Sequence, residues 1–382
     1  MDPFKYQQTK QFFAQVPGGL ENLAAKELEA LGAREITPGV RGVHFAADRA
    51  TLYAITYSAR LVTRILAPLV SFTCRGRSDL YRAGKAIDWR KLLTAENTLG
   101  VFANVSGNQE ITHSQFAALC LKDAVVDYFR SESGKRPNVD KISPDVWLNL
   151  HIEETRATIS FDVSGGSLHR RGYRRDSVPA PMQETLAAAM VAISQWKGNI
   201  PLYDPMCGSG TLLCEAMMRV CRIPAGFLRK NFGFQRLPDF DKRLWTMVKK
   251  NVTSKIRPLP KGLIAGSDID RDAVNAAQAN CALLPNGNRI RIFRKDFNKI
   301  AALKGRVILC NPPYGIRLKP NEDLSPLYGS LGDFLKQRCT GSQAYLFFGT
   351  REMIKKVGLK PAWKIPMRNA GLDGRLVKYE LF

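Results

Sequence analysis

From residue 200 onward, short apolar runs of strand length alternate with stretches of helical periodicity, and nothing else in the chain narrows its fold as far. Extended runs occupy residues 200–203, 263–267, 290–293, 307–310 and 344–348, with helices between most of them. A strand that returns to a parallel neighbour needs a crossover of about a dozen residues, and a helical crossover packs on a face of the sheet. The pattern therefore predicts an α/β fold with a Rossmann-like, doubly wound sheet. Two further runs, around residues 364–367 and 376–381, predict an antiparallel hairpin at its edge. Open sheets of this kind bind ligands at the carboxyl ends of their strands. The residues that follow each run are therefore the first candidates for chemistry.

The first run ends in Asp204-Pro205-Met206-Cys207-Gly208-Ser209-Gly210-Thr211, ahead of a helix whose core face is Leu212, Leu213, Ala216, Met217 and Val220. Glycines at a strand-to-helix turn let a ligand approach the backbone closely. The string is neither the dinucleotide fingerprint nor a P-loop. The second run ends in Asp268, whose carboxylate can accept from both hydroxyls of a ribose. Asp270, two residues on, is placed to cap the helix over residues 273–284. The third delivers Asp296, which could accept from an adenine amino group. The fourth ends in Asn311-Pro312-Pro313-Tyr314-Gly315. The Asn311 side-chain oxygen and the Pro312 carbonyl can accept the two hydrogens of one planar amino group. The nitrogen lone pair is then free to turn toward an electrophile. Pro312 and Pro313 stiffen the turn, and Tyr314 supplies a ring to stack on a base.

The first 165 residues read as small α+β units. Residues 12–16 and 42–45 are extended, with a helix over 20–31 closed by Gly32. A second stretch from Leu61 has strands at 101–105, 146–152 and 157–163, and a helix marked by Phe116, Cys120, Ala124, Val125 and Phe129. Residues 165–181, rich in Gly, Pro and Arg, mark a boundary. Arg170, Arg171, Tyr173 and Arg174 there are candidates for phosphate contact, with a solvated linker as the alternative. A helix over 184–196 leads into the second domain.

The chain has 57 basic against 34 acidic residues, a net +23. An excess of that size on a folded chain points to a polyanionic partner, nucleic acid above all. Residues 1–180 carry a net +5 and residues 181–382 a net +18. Within the second half, residues 222–261 hold 11 basic and 2 acidic side chains, interleaved with Phe227, Phe232, Phe234, Phe240 and Trp245. This segment is either a surface that neutralises phosphates and stacks on unpaired bases, or an amphipathic insertion with its rings in a core. The longest apolar stretch, residues 186–193, falls well short of the roughly 20 needed to span a bilayer, so no membrane association is expected. Eight scattered cysteines without a Cys-x-x-Cys, and only four histidines, read as a reduced cytoplasmic protein with buried thiols and no metal site.

The 204–211 turn, the acidic strand ends and the Asn-Pro-Pro-Tyr string resemble the class I S-adenosylmethionine-dependent amino-methyltransferases, across residues 176–382. The whole chain is similar to the bacterial THUMP-containing 23S rRNA guanine-N2 methyltransferases. Arg136-Pro137-Asn138-Val139-Asp140, Leu168-His169-Arg170-Arg171-Gly172-Tyr173-Arg174 and Glu184-Thr185-Leu186-Ala187-Ala188-Ala189 carry that likeness. The resemblance implies a ferredoxin-like unit over 1–61, a THUMP domain over 62–165, a basic linker and leading helix over 166–195, and a methyltransferase domain over 196–382. It implies that Asp204, Gly208 and Gly210, with Pro205 and Ser209 of the same turn, hold the methionine part of the cofactor. Asp268 would hold the ribose and Asp296 lie near the adenine, with Gln183 and Thr185 beside the pocket. Asn311, Pro312, Pro313 and Tyr314 would hold the target guanine amino group. The resemblance implies that the THUMP domain binds the large-subunit rRNA; since that part carries only modest charge here, most of the electrostatic grip is expected from residues 222–261, with Lys249, Lys250 and Lys255, and from the linker arginines. Some members of that family carry a second methyltransferase domain at the C-terminus, which this chain is expected to lack.

Three other readings use the same features. An adenine-N6 DNA methyltransferase performs similar amino-group chemistry, but usually with aspartate where Asn311 stands, and without a THUMP-like part. A protein-glutamine methyltransferase needs the same two acceptors but not the +23 charge. An RNA-binding assembly factor without activity would not need an intact Asn311 string. Cys310 alternates away from Asn311 on its strand, which argues against covalent C5 methylation.

Overall fold

The computed structural model describes residues 3–176, 182–314, 323–369 and 372–382. Residues 177–181 of the linker and Gly315 lie outside them. The N-terminal strands are β1 (Gln11–Gln15), β2 (Arg34–Gly39), β3 (Gly42–Ala46), β4 (Arg64–Thr73), β5 (Thr98–Ser106), β6 (Asn138–Val139), β7 (Val146–Glu153) and β8 (Arg156–Asp162). Where the sequence reads as separate small units, these strands form one continuous sheet in the order β2-β3-β1-β4-β8-β7-β5-β6. The joint is β4. Its ten residues pair with β1 along one edge and with β8 along the other. The register on β8 shifts between Pro68 and Val70, a bulge where a missing N–H is tolerated.

The second sheet contains β9 (Leu202–Asp204), β10 (Ile264–Asp268), β11 (Arg291–Arg294), β12 (Val307–Cys310), β13 (Ser342–Phe348), β14 (Trp363–Asn369) and β15 (Leu372–Leu381). Its order is β11-β10-β9-β12-β13-β15-β14, parallel from β11 to β13 and antiparallel at β15 and β14. This is the expected doubly wound architecture with its edge hairpin. The chain moves outward from β9 through β10 and β11, then crosses back to β12 on the other side. The carboxyl ends of β9 and β12 therefore flank the switch point, where such sheets open a ligand crevice.

The linker runs along the helix Thr211–Val220, and its side chains turn inward. Arg171 and Tyr173, expected as phosphate contacts, are buried, at 1% and 0% exposure. Arg171 Nε donates to Glu215 Oε1 at 3.3 Å, its Nη1 to the Leu168 carbonyl at 2.6 Å, and its Nη2 to the Arg60 carbonyl. The Tyr173 hydroxyl donates to the same Glu215 oxygen at 3.0 Å. Arg174 is mostly buried, donating to the Met182 carbonyl at 2.6 Å and Thr211 Oγ1 at 3.0 Å, with Glu184 3.6 Å away. Side chains committed in this way to internal carbonyls and carboxylates are not free to meet a phosphate. Of the four, Arg170 alone is exposed.

Residues 222–261 form an insertion between the helix Thr211–Val220 and β10, and it includes the helix Lys242–Thr253. Its rings correct the stacking option: Phe232 and Phe234 stack 5.3 Å apart, with Trp245 edge-on to both. Tyr53 and Tyr57 of the helix Arg49–Ser58 complete this aromatic core, 4.5 Å from Phe234 and 5.4 Å from Trp245. The insertion is thus a wedge between the two sheets. Lys249, Lys250 and Lys255 lie exposed on its outer side.

Removing one partner of a fully buried ion pair leaves an uncompensated charge, at a cost of roughly 3–5 kcal/mol. Glu215→Ala is therefore expected to lower the thermal midpoint by several degrees in scanning calorimetry. The joint apolar replacement Arg171→Met with Glu215→Leu should lose far less, and a Glu215→Ala midpoint equal to the parent's would contradict this.

Candidate active site

The chain leaves β9 through Asp204, which is 1% exposed and accepts from the Met206 N–H at 3.1 Å. Burial pushes its carboxyl up to about 8; the Met206 N–H opposes the shift and the negative Asp268 adds to it. Among the described residues Asp204 has no ion-pair partner. Two residues further the turn becomes left-handed at Gly208, with φ at 51°. Gly210 has φ at 83°, and a Cβ there would lie 3.1 Å from that of Ala277. Only glycine lets the helix Thr211–Val220 start this close to the helix Arg271–Ala282.

Asp268, at the end of β10, is tied to that turn directly: its Oδ2 accepts from the Gly208 N–H at 2.8 Å, and its Oδ1 from the Asp270 N–H at 3.1 Å. A carboxylate has about four acceptor positions, so capacity remains on the crevice side. Asp270 caps the next helix by accepting from the Asp272 N–H at 2.9 Å. Asp296, after β11, likewise accepts from the Asn298 N–H at 2.9 Å. Gln183 stands at the start of the helix Glu184–Ile193 and makes no cap bond. Thr185 is fully buried, and its hydroxyl has no hydrogen-bond partner among the described residues.

Asn311 follows β12 on the other side of the switch point. Its Oδ1 is shielded from solvent and accepts no hydrogen bond from any described residue. Leaving a buried acceptor unmade costs about 1–3 kcal/mol, so this oxygen has capacity for a donor from a ligand. The turn around it is held firmly. The Pro313 carbonyl accepts from the Tyr328 hydroxyl at 2.9 Å. Tyr328 is fully buried and stacks on Phe348 at 5.6 Å. Tyr314 meets Phe347 edge-on at 6.0 Å. Cys310 is buried in the cluster with Tyr328 and Phe348, and burial raises its thiol well above the ordinary value, which removes it as a nucleophile.

The structure thus brings the 204–211 turn, Asp268 and Asn311 to one end of the sheet, with Asp296 after the neighbouring strand. Lys249, Lys250 and Lys255 lie on the insertion, away from that end. Two residues beside the site were missed. Glu184, whose carboxyl burial raises, was visible as an acid opening an otherwise apolar helix. Tyr328 gave no signal at all.

A family described as the RMKL-like methyltransferase domain matches residues 171–378, a THUMP domain matches 75–162 and the RlmL ferredoxin-like domain matches 11–66. The chain is 40% identical over 98% of its length to a candidate RNA methyltransferase of Synechocystis, covering 97% of that protein. It is 38% identical to the ribosomal RNA large subunit methyltransferase K/L of Syntrophotalea carbinolica, over 97% of this chain and 53% of that one. The chain therefore spans about half the length of the relatives so named. The fold is shared with the crystal structure of a methyltransferase candidate complexed with SAH, at a TM-score of 0.83, 24% identity, and coverage of 97% and 98%.

Because Tyr328 fixes the turn that presents Asn311, Tyr328→Phe is expected to lower the rate of methyl transfer roughly tenfold, as small misplacements do. Cofactor affinity should stay within about twofold, as the ring and its packing persist. A rate equal to the parent's in single-turnover assays would remove Tyr328 from the site's support.

Proposed function

The chain belongs to the RMKL-like methyltransferase family, and from that premise we propose that it transfers a methyl group from S-adenosylmethionine to the exocyclic N2 amino group of a guanine in large-subunit ribosomal RNA. The observation that carries this reading is Asn311 Oδ1 at the switch point, shielded from solvent and without a partner among the described residues.

The residues present fit the cofactor. Asp204 is a buried carboxyl group with no cation beside it among the described residues, next to a turn whose glycines leave the backbone open. When bound, the cofactor supplies an electrophilic methyl group on a positively charged sulfur. Asp204 and the 204–211 turn would hold its methionine part, Asp268 the ribose, and Asp296 the adenine edge, with Thr185 and Gln183 beside them. Asn311 Oδ1 and the Pro312 carbonyl accept the two amino hydrogens of the flipped-out base, and Tyr314 stacks on it. Held so, the guanine nitrogen loses its planar conjugation and presents its lone pair to the methyl carbon. The cofactor would supply the methyl carbon as electrophile and its sulfur as leaving group, while Asn311 and Pro312 keep the amino nitrogen in place for the transfer. The extra proton then leaves a nitrogen made acidic by alkylation, so no strong base of the chain is needed. The THUMP match and the net positive charge support an RNA substrate. The +23 charge also fits a cytoplasmic protein working on ribosomal RNA.

Asn311→Ala is expected to reduce transfer to rRNA by about a hundredfold or more while leaving RNA and cofactor affinities unchanged. Full transfer by this variant would sink the assignment. A second expectation concerns pH. A cation bound beside Asp204 stabilises its charged form, so binding displaces the proton that the free protein carries below about pH 8. Affinity for S-adenosylmethionine should therefore rise from pH 6 to 7.5 in calorimetry, with proton release, and Asp204→Asn should abolish that slope.

A further inference from the structure

The helix Lys242–Thr253 buries Trp245 and Val248 against the aromatic core and leaves its other side open. Along the margin of the buried face, next to Trp245, Lys242, Thr246, Lys249 and Lys250 follow at spacings of four, three and one, so they form a single stripe along the helix. Together with Phe240 and Trp245 they line a cleft of about 720 Å³. Lys249 lies over the Trp245 ring at 5.9 Å. None of these lysines has a carboxylate partner among the described residues. The two acids of the insertion are occupied elsewhere: Asp239 accepts from the Tyr6 hydroxyl at 2.6 Å, and Asp241 caps the helix through the Leu244 N–H at 3.0 Å. From the opposing N-terminal unit, Arg49 reaches the Asp239 carbonyl at 3.0 Å and adds a further positive charge.

The position of this cleft is as informative as its charge. The helix Thr211–Val220 starts at the catalytic end of the sheet and runs away from it for ten residues, about 15 Å. The insertion begins where that helix ends and returns to the start of β10, at the opposite end of the strands. A strand of nucleic acid lying in the cleft cannot be the nucleotide undergoing reaction.

We propose that the Lys242–Lys249–Lys250 cleft is a remote anchor for the sugar-phosphate backbone of the RNA substrate, contacting a part of the molecule well away from the methylated base. The proposal rests on the RNA-methyltransferase reading and adds to it a second contact on the same RNA. The protein recognises an RNA large enough to span both ends of its catalytic domain. The lysines would sit on successive phosphates, and Phe240 and Trp245 would take a ribose or base edge between them.

The test uses the full chain and the variant Lys242→Glu/Lys249→Glu/Lys250→Glu, all surface positions. Binding of a long 23S rRNA transcript and of a short RNA hairpin is measured across a salt series. The variant should bind the transcript at least tenfold more weakly, with the slope of log affinity against log salt reduced by about two to three, while its binding of the hairpin stays unchanged. An unchanged slope on the transcript would overturn the anchor. So would a loss confined to anionic phosphatidylserine vesicles, which would assign the cleft to a membrane surface. A parent protein that shows this slope difference but methylates neither RNA would leave the anchor standing and remove the proposed reaction instead.

Discussion

Arg171 and Glu215 face each other with no solvent exposure on either side chain, and three parts of the molecule meet on that pair. Glu215 belongs to the helix that begins at the glycine turn; Arg171 belongs to the linker; the carbonyl that Arg171 also holds is that of Arg60, at the end of the N-terminal helix. Arg60 in turn donates to the carbonyls of Met218 and Ile223, at 2.8 and 2.5 Å, and its backbone N–H is held by Glu27. Burying so many charges is costly unless every one is satisfied. Here the hydrogen bonds cross between the N-terminal sheet and the catalytic helix, so the ion pair fixes how the two sheets sit together. The aromatic wedge around Trp245 fills the space beside it.

The site follows from that placement together with the strand order. Only at the β9/β12 switch point can a turn from one side of the sheet face a turn from the other. The glycine turn brings a backbone that a ligand can approach, cross-linked to Asp268 through the Gly208 N–H. The opposite turn brings Asn311, stiffened by two prolines and held by Tyr328. Groups that could work on a cofactor and groups that could work on an amino group are thus presented from separate elements. Neither set relies on Arg171 and Arg174 of the linker, whose charge is spent on internal carbonyls and carboxylates.

Much of this was legible beforehand, and the exceptions have physical causes. The second sheet was readable because buried parallel strands are short apolar runs and their crossovers are periodic helices. The helix Arg49–Ser58 was not, because Thr51, Ile55 and Thr56 favour extended backbone; the Asp48 side chain caps its start and packing against the insertion holds it. Strand β2 escaped notice as an exposed edge carrying Pro38 and Gly39. The candidate site residues were visible as strings at strand ends. By contrast, a run such as Arg170 to Arg175 looks the same whether it faces water or a carboxylate. Burial of Arg171 depends on Glu215, 44 residues away, and pairing at that range leaves no periodic trace. The rings of the insertion illustrate the same ambiguity: an aromatic that stacks on a base and one that fills a core are spaced alike.

The central claim is that the Asn311 turn receives the exocyclic amino group of a guanine in large-subunit rRNA. The most direct measurement incubates the purified protein and labelled S-adenosylmethionine with total RNA and genomic DNA from cells lacking the gene, then separates the nucleosides by mass spectrometry. Label in N2-methylguanosine from large-subunit rRNA is the predicted result. Label in N6-methyladenine of DNA, or in any nucleoside other than N2-methylguanosine, would contradict it.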